Sequence, residues 1–125
     1  MAPERPGQRW TRDKRLLRRS DFRKTYEDGR KMHGALLTVF VRPNGIDRDR
    51  VGITITKRVG NAVVRNSVRR RLREIFRVEA PGRGHSDKGY DLVVNVKDVA
   101  REAPFETLRG EVVKQLERLQ RKRSG

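Results

Sequence analysis

The 125-residue chain contains no cysteine, which excludes a disulfide framework, a cysteine-based zinc site and a thiol nucleophile. Histidine is nearly missing as well: His33 and His85 both sit beside glycine-containing loops and read as surface residues rather than bases. Long apolar runs are lacking. A spanning helix needs roughly 20 consecutive apolar residues, and the runs here are only a few residues long, so a membrane-spanning helix is excluded. No apolar core follows Met1, and no secretory signal is expected. Carboxylates number 16 and are scattered. Asp47 and Asp49 read as turn residues, as do Asp87 and Asp91 around Gly89. Asp98 and Glu102 are one helical turn apart, but Pro104 interrupts their context. Nothing resembles the clustered carboxylates of a two-metal nuclease, and no Walker-type glycine loop exists. The expectation is a chain without catalytic residues, metal ligands or a small-molecule substrate of its own.

Positive charge is what the chain has in excess. Lys and Arg total 32, for a formal net charge of +16, and 24 of the 32 are Arg. Such an excess opposes compaction and calls for a polyanion. Arginine's flat fork matches phosphate and stacks on bases, so nucleic acid is the expected partner. The charge is uneven: residues 57–77 carry eight basic groups against one acidic group, Glu74.

Residues 1–14 read as a flexible basic arm, in which Trp10 either tucks onto the domain or stacks on a base. Residues 15–121 form the domain and 122–125 a tail. Ser20 is positioned to cap a helix over 21–28 that stops at Gly29, with Phe22 and Tyr26 on one face. Residues 35–42 and 50–56 alternate as strands. In the first, Leu37, Val39 and Val41 oppose Leu36, Thr38, Phe40 and Arg42. In the second, Val51, Ile53 and Ile55 oppose Gly52, Thr54 and Thr56. A turn begins at Pro43, Asn44 and Gly45. A helix is predicted over 62–79 on a stripe of Val64, Val68, Leu72, Ile75 and Phe76, closed by a loop at Pro81, Gly82 and Gly84. A strand follows over 90–97, and a last helix over 104–121 with Leu108, Val112, Leu116 and Leu119 inward. The order is α-β-β-α-β-α, with room for one more strand before the second helix. This is a single-domain α+β fold, with about three helices on a small, mostly antiparallel sheet.

Two constellations carry the functional expectation. On the second helix, Asn66, Arg69, Arg70, Arg73 and Arg77 point away from the apolar stripe, while Arg65 and Arg71 border it. Gly60 and Asn61 turn the chain into this helix, whose positive end lies near Arg65 and Asn66 and favours phosphate. The other constellation is aromatic. Phe22, Tyr26 and Phe40, with hydroxyls from Thr54 and Thr56, are either a stacking platform for bases or the rings that hold the first helix to the sheet.

The stretch Thr56-Lys57-Arg58-Val59-Gly60-Asn61-Ala62-Val63-Val64-Arg65-Asn66-Ser67-Val68-Arg69-Arg70-Arg71-Leu72-Arg73-Glu74 resembles the signature of the bacterial ribonuclease P protein subunit. Arg15-Leu16, Asp21-Phe22, Tyr26, Phe40, Arg50-Val51-Gly52 and Tyr90-Asp91-Leu92-Val93-Val94 extend the resemblance over about 14–120. The sequence departs from the family pattern at Thr56-Lys57-Arg58, commonly Ser-Lys-Lys, and at Ser67, a place that is often basic. The resemblance implies a cytoplasmic bacterial ribonucleoprotein in which a catalytic RNA subunit, holding Mg2+, removes the 5′ leader of precursor tRNA. It implies a leader cleft lined by Phe22, Tyr26, Phe40, Thr54, Thr56 and Lys57. It implies contacts of Arg58, Asn61, Arg65, Asn66, Arg69, Arg70, Arg73 and Arg77 with the RNA subunit and phosphates. It also implies a left-handed βαβ crossover, against the usual hand. The competing expectations are a structural RNA-binding protein of ribosomal type and an architectural DNA-binding protein.

Overall fold

The computed structural model describes residues 14–16, 18–80 and 88–124. Most of the expected N-terminal arm with Trp10, and the loop that holds Pro81, Gly82, Gly84, His85 and Asp87, lie outside the described residues. In chain order the elements are α1 (Arg19–Asp28), β1 (Arg30–His33), β2 (Leu37–Pro43), β3 (Arg50–Thr54), α2 (Ala62–Glu79) and β4 (Tyr90–Val96). A 3-10 turn (Asp98–Glu102) and α3 (Phe105–Ser124) follow. The four strands form one mixed sheet in the order β1-β2-β4-β3. β2 pairs antiparallel with both β1 and β4, while β3 runs parallel to β4. A parallel pair cannot be closed by a tight turn, and here α2 makes the connection.

Alternation along the strands builds the core. Leu37, Val39 and Val41 of β2, Val51 of β3, and Leu92, Val94 and Val96 of β4 pack in one cluster with Val68, Leu72, Ile75 and Phe76 of α2. Leu108, Val112, Leu116 and Leu119 of α3 complete it, all within 2% of full burial. Each such side chain contributes about 1.5–3 kcal/mol on burial. The α3 carboxylate of Glu111 accepts from the amides of Leu36 and Leu37, at 3.0 and 2.6 Å, which ties α3 to the start of β2. α1 lies across the opposite face.

Several local expectations are corrected. α1 begins at Arg19, so Ser20 lies inside the helix. Arg18 stands at the N-cap without a side-chain cap, and Asp21 supplies the acidic group in the first turn. Gly29 ends α1 in extended conformation; a side chain there would strike the Thr25 carbonyl oxygen. The further strand allowed before the second helix is β1, although no residue pattern located it, and the 3-10 turn was not foreseen. β1 is an edge strand with one apolar anchor, Met32, which is too little to create alternation. α3 runs on to Ser124.

Asp91 is the main correction. It is no turn residue: it sits in β4, fully buried. Arg50 grips it bidentately, Nε to Oδ1 at 2.8 Å and Nη2 to Oδ2 at 2.7 Å. Asn44 Nδ2 donates to Oδ1 at 3.0 Å, and Arg42 Nη1 lies 3.7 Å from Oδ2. Arg50 also reaches Asp21 of α1 at 3.8 Å. The hydrogen bond to Asp91 holds the Arg50 guanidinium above its ordinary pKa. Asp49 likewise does more than turn the chain, because its Oδ1 accepts from the Tyr90 amide at 2.8 Å.

Removing one partner of a buried pair leaves the other charge uncompensated. Asp91→Ala is therefore expected to lower the unfolding free energy by about 3 kcal/mol, the low end for such pairs because Arg50 is partly exposed. Urea denaturation of the purified variant measures this; a loss under about 1 kcal/mol would mean that the pair is not holding the strands together.

Candidate nucleic-acid interface

The outer face of the sheet, beneath α1, is organised in rows set by strand register, since directly paired residues share a face. At one end lies the Arg42–Asp91–Arg50 row already described. The next row runs Lys31, Phe40, Val93, Gly52 across the four strands. The third runs His33, Thr38, Asn95, Thr54.

α1 places its two rings on these rows. Phe22 rests over Gly52, where any side chain would meet the ring's Cε1 and Cζ, so this close approach requires glycine. Tyr26, one helical turn on, meets Phe40 edge to face with ring centroids 4.8 Å apart. Its hydroxyl donates to Asn95 Oδ1 at 2.6 Å and lies 3.3 Å from Thr54 Oγ1. Lys31 Nζ stands 5.6 Å from the Phe40 centroid, within cation–π range. Phe22 and Phe40 are half-buried and Tyr26 is 37% exposed. The rings fix α1 to the sheet and still leave aromatic surface in contact with solvent.

After β3 the chain turns. Buried Ile55 and Val59 pin the turn while Thr56, Lys57 and Arg58 stay exposed. Val59 N donates to Thr56 O at 3.1 Å and Gly60 N to Lys57 O at 3.2 Å. Asn61 is the N-cap of α2, its Oδ1 accepting from Val64 N at 3.0 Å. Its side-chain oxygen is thereby engaged within the protein. No acidic residue occupies the first turn of α2, so its positive end is not offset locally.

Along α2, the guanidinium groups of Arg65, Arg70 and Arg73 make no hydrogen bond or ion pair among the described residues, and neither does that of Arg58 in the turn. Arg69 Nη1 donates to Asn66 Oδ1 at 3.1 Å. Arg77 differs from the others: Glu74 binds it with Nε to Oε2 at 3.0 Å, and this contact holds Glu74 below the usual carboxylate range. Arg71, at the border as expected, donates to the Ala103 carbonyl at 3.1 Å.

The ring-bearing face and the arginine face meet at a cavity of about 140 Å³. Its apolar floor includes Leu16, Phe22, Gly52 and Ile53, and Arg15, Arg69 and Arg73 stand around it. Arg15 Nε is buried without a hydrogen-bond partner, as is Arg65 Nε. Partial desolvation and then the facing charges of Arg69 and Arg15 push Arg73 below its ordinary value. Converging cations with no carboxylate in the lining suit a phosphate. Among the described residues no three His, Asp or Glu side chains gather as metal ligands.

Residue-type reasoning overlooked Asn95, Lys31 and the position of Arg15. Asn95 is the one polar residue inside the run Leu92–Val96 and was visible as such. Lys31 belongs to β1, which no residue pattern located, and Arg15 lines the cavity where the chain before α1 runs beside β3, with Leu16 N donating to Val51 O at 3.0 Å.

The family model for ribonuclease P matches residues 10–120. The ribonuclease P protein component of Clostridioides difficile (strain 630) is 34% identical over 99 residues, spanning 79% of this chain and 85% of that protein. The solved ribonuclease P protein of Thermotoga maritima superposes with a TM-score of 0.74 at 32% identity, covering 83% of this chain and 96% of that one. The ribonuclease P protein of Staphylococcus aureus gives a TM-score of 0.73 at 27% identity, over 83% and 93% of the two chains.

Tyr26→Phe keeps the ring and removes the hydroxyl shared with Asn95 and Thr54. The expected cost is about 0.5–1.5 kcal/mol, the net value of a hydrogen bond, by thermal or urea unfolding. An unchanged midpoint would show that the hydroxyl does not hold α1 in place.

Proposed function

Because this chain belongs to the ribonuclease P protein family, we propose that it is the RNA-binding subunit of that ribonucleoprotein, binding precursor tRNA through its 5′ leader and the catalytic RNA through α2. The supporting observation is continuity: one cavity is bordered by Phe22 of the aromatic face and by Arg69 and Arg73 of the arginine face.

The division of labour follows from the side chains. Leader bases stack on the exposed surfaces of Tyr26, Phe40 and Phe22, which is tolerant of sequence because every base has a π-face. Thr54, Thr56 and Asn95 offer hydrogen bonds at the edge of the platform, and Lys57 neutralises leader phosphate. Arg58, Arg65, Asn66, Arg69, Arg70 and Arg73 dock the RNA subunit on one side of the leader path. Asn61 acts by capping α2 and so fixing the exposed amides of its first turn, and Arg77 acts on phosphate only through the part of its fork left open by Glu74. The RNA subunit holds Mg2+ and breaks the phosphodiester bond, while the protein positions the substrate and screens phosphate repulsion. The site of action is the bacterial cytoplasm.

Three outcomes are expected. The purified chain without RNA leaves precursor tRNA intact at any Mg2+ concentration; a cut by the RNA-free protein would overturn the division of labour. Phe40→Ala weakens binding of leader-bearing tRNA by about 1–3 kcal/mol with the fold retained, as read by filter binding and circular dichroism. Unfolding of that variant would make Phe40 a purely structural ring. Arg65→Ala and Arg70→Ala each flatten the dependence of log affinity for the RNA subunit on log salt by about 0.7–0.9. A slope equal to wild type would place those groups in solvent.

A further inference from the structure

A second cluster of cations lies at the other edge of the sheet. β3, beside the α2 arginines, forms one edge and β1 the other. Between β1 and the last turns of α3 is a cavity of about 450 Å³ lined by Arg30, Lys31, Met32, Arg118, Arg121 and Lys122. No carboxylate lines it, and among the described residues none of its five cations forms an ion pair. Arg118 reaches only the Gln115 side-chain oxygen, at 3.4 Å. Desolvation, then the charges of Arg30 and Arg118, push Lys122 below the usual lysine range. The C-terminal end of α3 carries only about half a negative charge, too little to balance five cations. The cluster is therefore repulsive in the free protein, and a polyanion relieves it.

Strand alternation connects this cleft to the aromatic platform. Lys31 shares a row with Phe40 and stands over its ring, and it also lines the cleft. Its neighbour Arg30 lies on the same side of the strand as the buried Met32, towards α3. We propose that the β1–α3 cleft is a second phosphodiester-backbone site, which takes the continuation of the leader strand after it passes Phe40 and Lys31. The inference rests on the leader reading above. It assigns Arg30, Arg118, Arg121 and Lys122 to phosphates farther from the cleavage site than those near the platform.

The test uses the holoenzyme and three substrates: tRNA with no leader, with a short leader that ends at the platform, and with a long leader. The double variant Arg118→Ala/Arg121→Ala changes exposed helical positions that alanine tolerates, and circular dichroism checks that α3 remains. Wild type is expected to bind the long leader more tightly than the short one. The variant loses this difference several-fold, and its salt slope for the long leader falls by about 0.7 per lost contact; its affinities for the other two substrates stay at wild-type values. An equal loss on all three substrates overturns the proposal, because the cleft then holds the RNA subunit or the tRNA body. No loss on any substrate also overturns it. If wild type itself does not prefer the short leader over none, the platform reading fails as well. Wild-type preference for the short leader together with an unaffected variant sinks only this inference.

Discussion

One buried carboxylate organises the outer face of the sheet. Asp91 is fully enclosed at the start of the central strand β4, and a charge in that position is tolerable only when paired and hydrogen-bonded. Its partners come from both neighbouring strands and from the loop between them: Arg42, Arg50 and Asn44. Arg50 passes the connection on to Asp21 of α1. The pairing fixes the register of three strands at one end and anchors the helix there. The other end of the face is held by weaker and more exposed contacts among Tyr26, Phe40, Asn95 and Thr54. The face is thus closed and rigid at one end and open at the other.

The arginines divide by task along the same lines. Arg50 and Arg42 serve Asp91, Arg71 holds the carbonyl of Ala103, and Arg109 pairs with Glu79 across α3 and α2 at 2.9 Å. These are structural. Arg58, Arg65, Arg70 and Arg73 have no such employment among the described residues, and Arg69 has only an asparagine. A protein retaining so many uncompensated guanidinium groups is less stable alone than with its polyanion. The fold resists the resulting repulsion because α2 buries Val68, Leu72, Ile75 and Phe76 beneath the charged side.

Much of this was legible in the residues. The 62–79 helix and its stripe came out as read, because 3.6-residue periodicity over five turns is a strong signal. The faces of β2 and the inward row of α3 also followed from periodicity. β1 did not, because an edge strand with one buried residue has no pattern to detect. Asp91 was misread for a different reason: local chemistry after a glycine says turn, and only the pairing of β4 between β2 and β3 says buried anchor. The α2 arginines could be named from the wheel, but which of them are already occupied could not. Glu74 takes Arg77 rather than Arg70, although both lie within one helical turn of it. The cleft beside α3 needs two elements distant in sequence, so no local window contains it.

The placement of β4 has a consequence for how the chain is made. β2 and β3 are consecutive in sequence, yet neither can pair with the other, because the strand that belongs between them begins at Tyr90. Until that segment is in place, the β1–β2 pair and the lone β3 strand each keep an unsatisfied edge, and α2, which follows β3 in the chain, has only part of the core to pack against. Completion is a late, non-local insertion, the kind of step that slows folding. The sheet therefore closes only when its last strand docks, and the basic helix gains its full footing in the core at the same step.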